Sequence, residues 1–229
     1  TGRYYPLVEA PAERFFLSTS IPFMLTELAE LLQRVEDLDF VKTRTIGQSV
    51  EERPITLLTM TDPSVPDDRK AHVVLTIGQH SPMEMVGAHF IDPILRYLDR
   101  HRDALRSLVL DCVPIVNMDG AAHGSDGMNL NLQNTNRCWF ADLQPETRCI
   151  IDHCGACSHP PDLFLDIHSG GCWRNHTVLR LDPGFLCDHF GSDGDRLIEM
   201  QMAVNQLLEH HAGIWCIDGV DHVFRECCA

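Results

Sequence analysis

Three short runs of aliphatic and β-branched residues constrain this chain more than any other feature. HVVLTIG (72–78), SLVLDCVPIVN (107–117) and DLFLDIH (162–168) each read as a strand, the first two buried. Helical patterns lie between and before them. Residues 83–103 read as a helix, and Ile21–Leu38 carries apolar residues at helical spacing, with Pro22 and Thr26 near its start. Residues 41–60 read as two strands joined by a glycine-containing turn, 176–182 as a further strand, and 195–211 as a closing helix with a clean apolar stripe. Strands that alternate with helices, without an internal repeat, predict an α/β fold. The expected architecture is a three-layer sandwich with a mixed, largely parallel central sheet flanked by helices. Residues 21–229 are expected to form the domain, and residues 1–20 an extension or the remnant of a preceding region.

Charge narrows the partners. Eighteen basic residues stand against 33 acidic ones, a formal charge of −15, which argues against nucleic acid and against an anionic membrane surface. No apolar stretch reaches the roughly 18 residues needed to span a bilayer. Ten cysteines are many, yet too sparse for a small disulfide scaffold. Free thiols in a reducing, cytoplasmic compartment are the expectation. The first residue is Thr, which fits a processed chain or an excised fragment. Oligomeric state is not legible.

In α/β sheets, ligands gather where loops leave the carboxyl ends of strands. His80 and Glu84 follow the strand that ends at Gly78, and His168 closes the strand DLFLDI. Two imidazoles and a carboxylate, with a fourth position open to water, make a catalytic zinc set. If residues 80–84 form a first helical turn, the i, i+4 spacing puts both side chains on one face. Taken alone, that spacing also fits two residues decorating a helix N-terminus. Residues 117–139 are rich in Gly and Asn and read as an irregular loop, of a length that is usually functional.

The runs IGQHSPMEMVGAHF, PIVNMDG, NTNRCW, PET and FLDIHSGG occur in this order. Together they resemble the zinc carboxypeptidases of the carboxypeptidase A superfamily, over roughly residues 15–180. The upstream IGQSVEERPI is similar to a hairpin of that family, and FFLSTSIPFMLTELAELL to the opening of the catalytic domain in its cytosolic branch. The resemblance implies one zinc ion held by His80, Glu84 and His168. It implies a clamp for the substrate's terminal carboxylate made by Asn136 and Arg137, the guanidinium gripping in a bidentate way that lysine cannot match. The implied partner is the C-terminus of a peptide or protein. The implied reaction is hydrolysis of its last residue through a metal-activated water.

Four departures stand against the family pattern. The first two ligands are separated by one residue more than usual. The aspartate that backs the first histidine is Asn134 here, and losing such a carboxylate costs about 10–100-fold in affinity or activity. Gly127 stands where the cytosolic branch keeps an arginine for the developing oxyanion, a loss on the order of 100–1,000-fold in rate unless another group, such as Arg174, replaces it. Finally, the general base should lie on a strand well beyond His168. Glu226 is the lone late candidate, and the reading favours a chain that stops before the true base. Two alternatives therefore stay open: a non-catalytic zinc- or peptide-binding relative, and an N-acyl amino acid acylase on the same scaffold.

Other signals carry less. Cys154 and Cys157, flanked by His153 and His159, have spacing suited to a structural zinc or a redox disulfide, or are incidental in a cysteine-rich chain. Asp166 points to the same side of its strand as His168 and reads as a buried structural carboxylate. His72 and the remaining histidines show no ligand spacing.

Overall fold

A computed structural model describes residues 21–168, apart from Asp126, Phe140 and Ala141, together with Glu199. The described part of residues 21–168 lies within a single unit, Thr1–Ser169. Helix α1 spans Leu25–Val35 and buries Leu28, Leu31 and Val35 at the i, i+3, i+7 spacing of one helical face. It starts where the Glu27 carboxylate accepts from the Met24 backbone N–H (2.8 Å), and Arg34 in its last turn complements the helix dipole.

Strands β1 (Val41–Gln48), β2 (Pro54–Met60), β3 (Ala71–Ile77), β4 (Leu108–Val113) and β5 (Leu163–Ile167) form one sheet in the order β1-β2-β4-β3-β5. β1 pairs antiparallel with β2 and β2 with β4, while β3 runs parallel to both β4 and β5. The sheet is mixed as expected, and parallel only on its β4-β3-β5 side among the described residues. β2 buries nearly every residue, whereas β1 is largely exposed.

Helices cover both faces. The short helical turn Val86–Phe90 leads into α2 (Ile91–Arg100), which buries Ile91, Leu95 and Leu98. Gly87 in that turn sits so close to Ile77 and Ile167 that an added Cβ would meet their Cγ2 atoms at 3.2 and 2.5 Å. On the opposite face lies α4 (Pro145–Ala156), whose His153 reaches Asp111 of β4 and whose Cys149 lies against Gly47 of β1. Three layers result, as the alternation of elements predicted.

Two helices depart from the reading of the sequence. Residues 117–139 are not all loop: α3 (Met118–His123) forms because the Asn117 side chain accepts from the Gly120 N–H (2.8 Å) and Gly124 ends the helix at φ +71°. α4 went unread, although Pro145 at its first turn is a helix-start signal. The helix expected over 83–103 begins only at Ile91. The strand expected at 176–182 lies outside the described residues, as does the helix at 195–211 apart from Glu199, which is helical. No described helix is long and apolar enough to cross a membrane.

Candidate metal centre

β3 ends at Ile77, and Gly78 turns the chain sharply at φ +71°. An L side chain is strained there, and a Cβ would meet the Met85 sulfur at 2.9 Å. The next residues do not make the helical turn expected. They make a tight turn instead, in which the N–H groups of Met83 and Glu84 both donate to the His80 carbonyl (2.9 and 3.1 Å). The i, i+4 closure brings His80 and Glu84 together without a helix, and His80 Nδ1 stands 3.3 Å from Glu84 Oε2.

His168 arrives by the sheet. Ile77 and Ile167 are register partners of the parallel pair β3/β5, so the residues that follow them leave the sheet side by side. His168 Nδ1 lies 2.7 Å from Glu84 Oε2, and the two imidazole centroids are 5.0 Å apart. One donor atom from each of His80, Glu84 and His168 falls within 4.8 Å of the others, so the group can hold a metal ion. Donors on a tetrahedral ion lie roughly 3.3 Å apart when its bonds are near 2.0–2.1 Å, so small adjustments complete the set.

Both rings are held from behind. His80 Nε2 meets Asn134 Oδ1 at 3.0 Å, and His168 Nε2 meets Asp166 Oδ2 at 2.8 Å. Each contact turns the Nδ1 of its ring toward Glu84, the arrangement that fixes the tautomer of a ligating histidine. Asp166 is half-buried rather than a sealed core carboxylate. It also accepts from Thr76 Oγ1 (2.8 Å) and Gln79 Nε2 (2.5 Å).

The electrostatics follow from this crowding. Burial would raise the Glu84 pKa, but hydrogen bonds from His168 and His80 prevail and hold it at about 2. Burial would lower that of His168, and the Asp166 and Glu84 carboxylates on either side lift it to about 9. The pocket therefore holds positive charge strongly, and a divalent ion supplies it by displacing a proton.

The expected clamp stands close by. Thr135–Arg137 form a short helical turn capped by Asn134, whose Oδ1 also accepts from the Asn136 N–H (3.0 Å). Thr135 Oγ1 donates to the Gln79 carbonyl (3.0 Å), which ties this turn to the loop bearing His80. Arg137 is exposed and makes no ion pair among the described residues. Gly127 has φ +72°, and a Cβ there would come within 3.2 Å of His80 Cδ2. An arginine at this position would press on the first ligand. Glu226 and Arg174 lie outside the described residues.

Two motifs of the sequence turn out to touch. Asp119, wholly buried, accepts from Ser49 Oγ (2.6 Å), the Glu51 N–H (3.0 Å) and Arg53 Nη1 (2.5 Å). The hairpin IGQSVEERPI and the run NMDG are thus one polar joint.

A second group was not foreseen. His72, Asp111, His153 and Cys157 also place one donor atom each within 4.8 Å of one another. His72 carries no ligand spacing in the sequence, since its partners arrive from β4 and from α4. Of the two flagged cysteines it is Cys157 that joins, at i+4 from His153. The cysteines described (Cys112, Cys138, Cys149, Cys154 and Cys157) are free thiols.

The zinc carboxypeptidase family model matches residues 28–141. The match covers just under half of the chain and, together with the fold, makes it similar to the zinc carboxypeptidases. Among solved structures, the metallo-carboxypeptidase of Burkholderia cenocepacia is 28% identical, with 66% of this chain aligned to 42% of that one and a TM-score of 0.59. The metallo-carboxypeptidase of Pseudomonas aeruginosa, solved in complex with (2-guanidinoethylmercapto)succinic acid, is also 28% identical over 69% of this chain and 42% of that one, with a TM-score of 0.60. Carboxypeptidase A of Helicoverpa armigera shares the fold at 20% identity, over 71% and 49% of the two chains, with a TM-score of 0.54. This chain thus spans under half the length of these relatives.

Proposed function

We propose that this domain binds one zinc ion through His80 Nδ1, the Glu84 carboxylate and His168 Nδ1, and serves removal of the C-terminal residue from a peptide or protein. One observation carries the reading: three donor atoms converge from two neighbouring strand ends, with both rings held from behind. Zinc, when bound, polarises a scissile carbonyl and lowers the pKa of a nearby water. The chain's own residues supply the rest. Glu84 contributes a negative charge that a third imidazole would lack. Asn134 and Asp166 hold the two rings in register. Arg137, unpaired among the described residues, grips the terminal carboxylate with Asn136 beside it, which makes the reaction an exopeptidase one. Glu226 is our candidate for the group that takes and returns the proton. Gly127 offers no side chain to a developing oxyanion, so that charge falls to another donor.

The test is hydrolysis of N-blocked dipeptides varied at the last residue, with zinc and with chelator. The reading expects chelator-sensitive release of the terminal residue and no release from C-terminally amidated peptides. Arg137→Ala should raise KM about 10–100-fold, because a charge-assisted contact of about 1.5–3 kcal/mol is lost. A zinc-loaded chain that leaves every free-acid peptide uncut would contradict the proposal.

A further inference from the structure

The cluster at His72 lies away from the centre just described. His72 is at the start of β3 and Gly78 follows its end, so the two sites are separated by six residues, or roughly 20 Å of extended strand. Asp111 is the register partner of Val74 and Thr59, which puts its side chain on the face of His72 and beneath α4.

Four donor residues meet there. Asp111 is 3% exposed, and its Oδ2 faces His72 Nε2 at 2.9 Å and His153 Nε2 at 2.7 Å. Its Oδ1 accepts from Thr59 Oγ1 (2.5 Å), which fixes the carboxylate plane. Cys157 caps α4 one turn after His153, its sulfur lying 3.3 Å from the His153 carbonyl. A hydrogen-bonded triad of one Asp and two His would need no thiol. Two imidazoles, a carboxylate and a thiolate, by contrast, form a complete four-ligand set of the type zinc accepts. A divalent ion would also neutralise the carboxylate and the thiolate together, leaving a buried site with no net charge.

We propose that His72, Asp111, His153 and Cys157 form a second, closed zinc-class site that clips α4 to the sheet and has no open position for substrate. Binding carries a defined rearrangement. Arg44 Nη2 donates to His153 Nδ1 (2.7 Å), so that ring now carries its proton on Nε2. When the ion takes Nε2, the proton moves to Nδ1 and Arg44, an exposed residue of β1, swings to solvent. On His72 the proton likewise moves from Nε2 to Nδ1, and the thiol proton leaves to solvent.

Cobalt(II) tests this on the full 229-residue chain, because only this site of the two contains sulfur. The chain stripped with chelator and titrated with Co2+ should show thiolate-to-cobalt charge transfer. Zinc should bind at two equivalents. Cys157→Ser should abolish that absorption and leave one zinc, whereas Cys154→Ser and His168→Ala should keep the absorption. His72→Ala should behave like Cys157→Ser. The proposal is overturned if no charge-transfer band forms, or if the band survives Cys157→Ser. Failure here leaves the His80 site untouched, since loss of zinc in His168→Ala reports that site separately.

Discussion

Glu146 opens α4 with its carboxyl wholly buried. One oxygen accepts from Asn129 Nδ2 (3.1 Å) and the other has no hydrogen-bond partner among the described residues. Burial raises its pKa, the Asn129 contact opposing and Asp119 adding to the rise. A carboxyl whose folded pKa exceeds its unfolded one stabilises the fold below the unfolded pKa, and loses that contribution as pH rises through the folded one. Denaturant unfolding at pH 5 and pH 8 should therefore show a larger loss of stability in the wild type than in Glu146→Gln, by about 1 kcal/mol. Equal losses would mean that the carboxyl is ionised without strain. Asn134 gives a second expectation at this scale. It acts as an acceptor toward His80 Nε2 and the Asn136 N–H, so Asn134→Asp keeps both bonds and adds charge. Zinc affinity, measured by competition with a chromophoric chelator, should rise about 10-fold. At this scale His80, Glu84 and His168 were legible, because each sits at a strand end inside a motif. His72, Asp111 and His153 were not, because register and an unread helix bring them together across 39 and 42 positions.

The joint between the β1–β2 hairpin and α3 decides how firmly the His80 turn is held. Among the described residues Arg53 is the one cation on buried Asp119, so Arg53→Ala leaves a carboxylate served, among those residues, by Ser49 and the Glu51 N–H. A loss of about 1–2 kcal/mol in urea unfolding is expected, below the full cost of a broken buried pair because Arg53 is partly exposed. Gly120 is tighter still. An added Cβ would come 2.4 Å from Asn117 Nδ2 and 2.8 Å from the Ser81 carbonyl. Gly120→Ala should cost about 1–3 kcal/mol and weaken zinc binding as well, since the displaced carbonyl belongs to the residue after His80. Full zinc affinity in this variant would show that the turn is held by other contacts. Strands were the most readable elements, since β1, β2, β4 and β5 fall inside the predicted runs and β3 starts one residue before its own. Helices were less so. α4 mixes His, Cys and Thr with apolar residues and shows only a weak stripe, and α3 depends on an Asn cap and a left-handed glycine within a segment whose composition reads as loop. The 3-10 turn at Val86–Phe90 replaced the first turns of the expected helix because Gly87 has to approach Ile167.

For the whole molecule, strand alternation implied layers, and the parallel β3/β5 pair explains why a histidine 84 residues beyond Glu84 can meet it. The antiparallel β1–β2–β4 side was only half visible, because a short hairpin does not announce its neighbour. Bound zinc links all these scales. A crystal of the zinc-loaded chain, with diffraction recorded on both sides of the zinc absorption edge, locates the ion directly. The account predicts an anomalous peak about 2.0–2.2 Å from His80 Nδ1, a Glu84 carboxylate oxygen and His168 Nδ1, whether or not a second peak stands beside His72. Ordered density for all three side chains with no anomalous peak between them would contradict it.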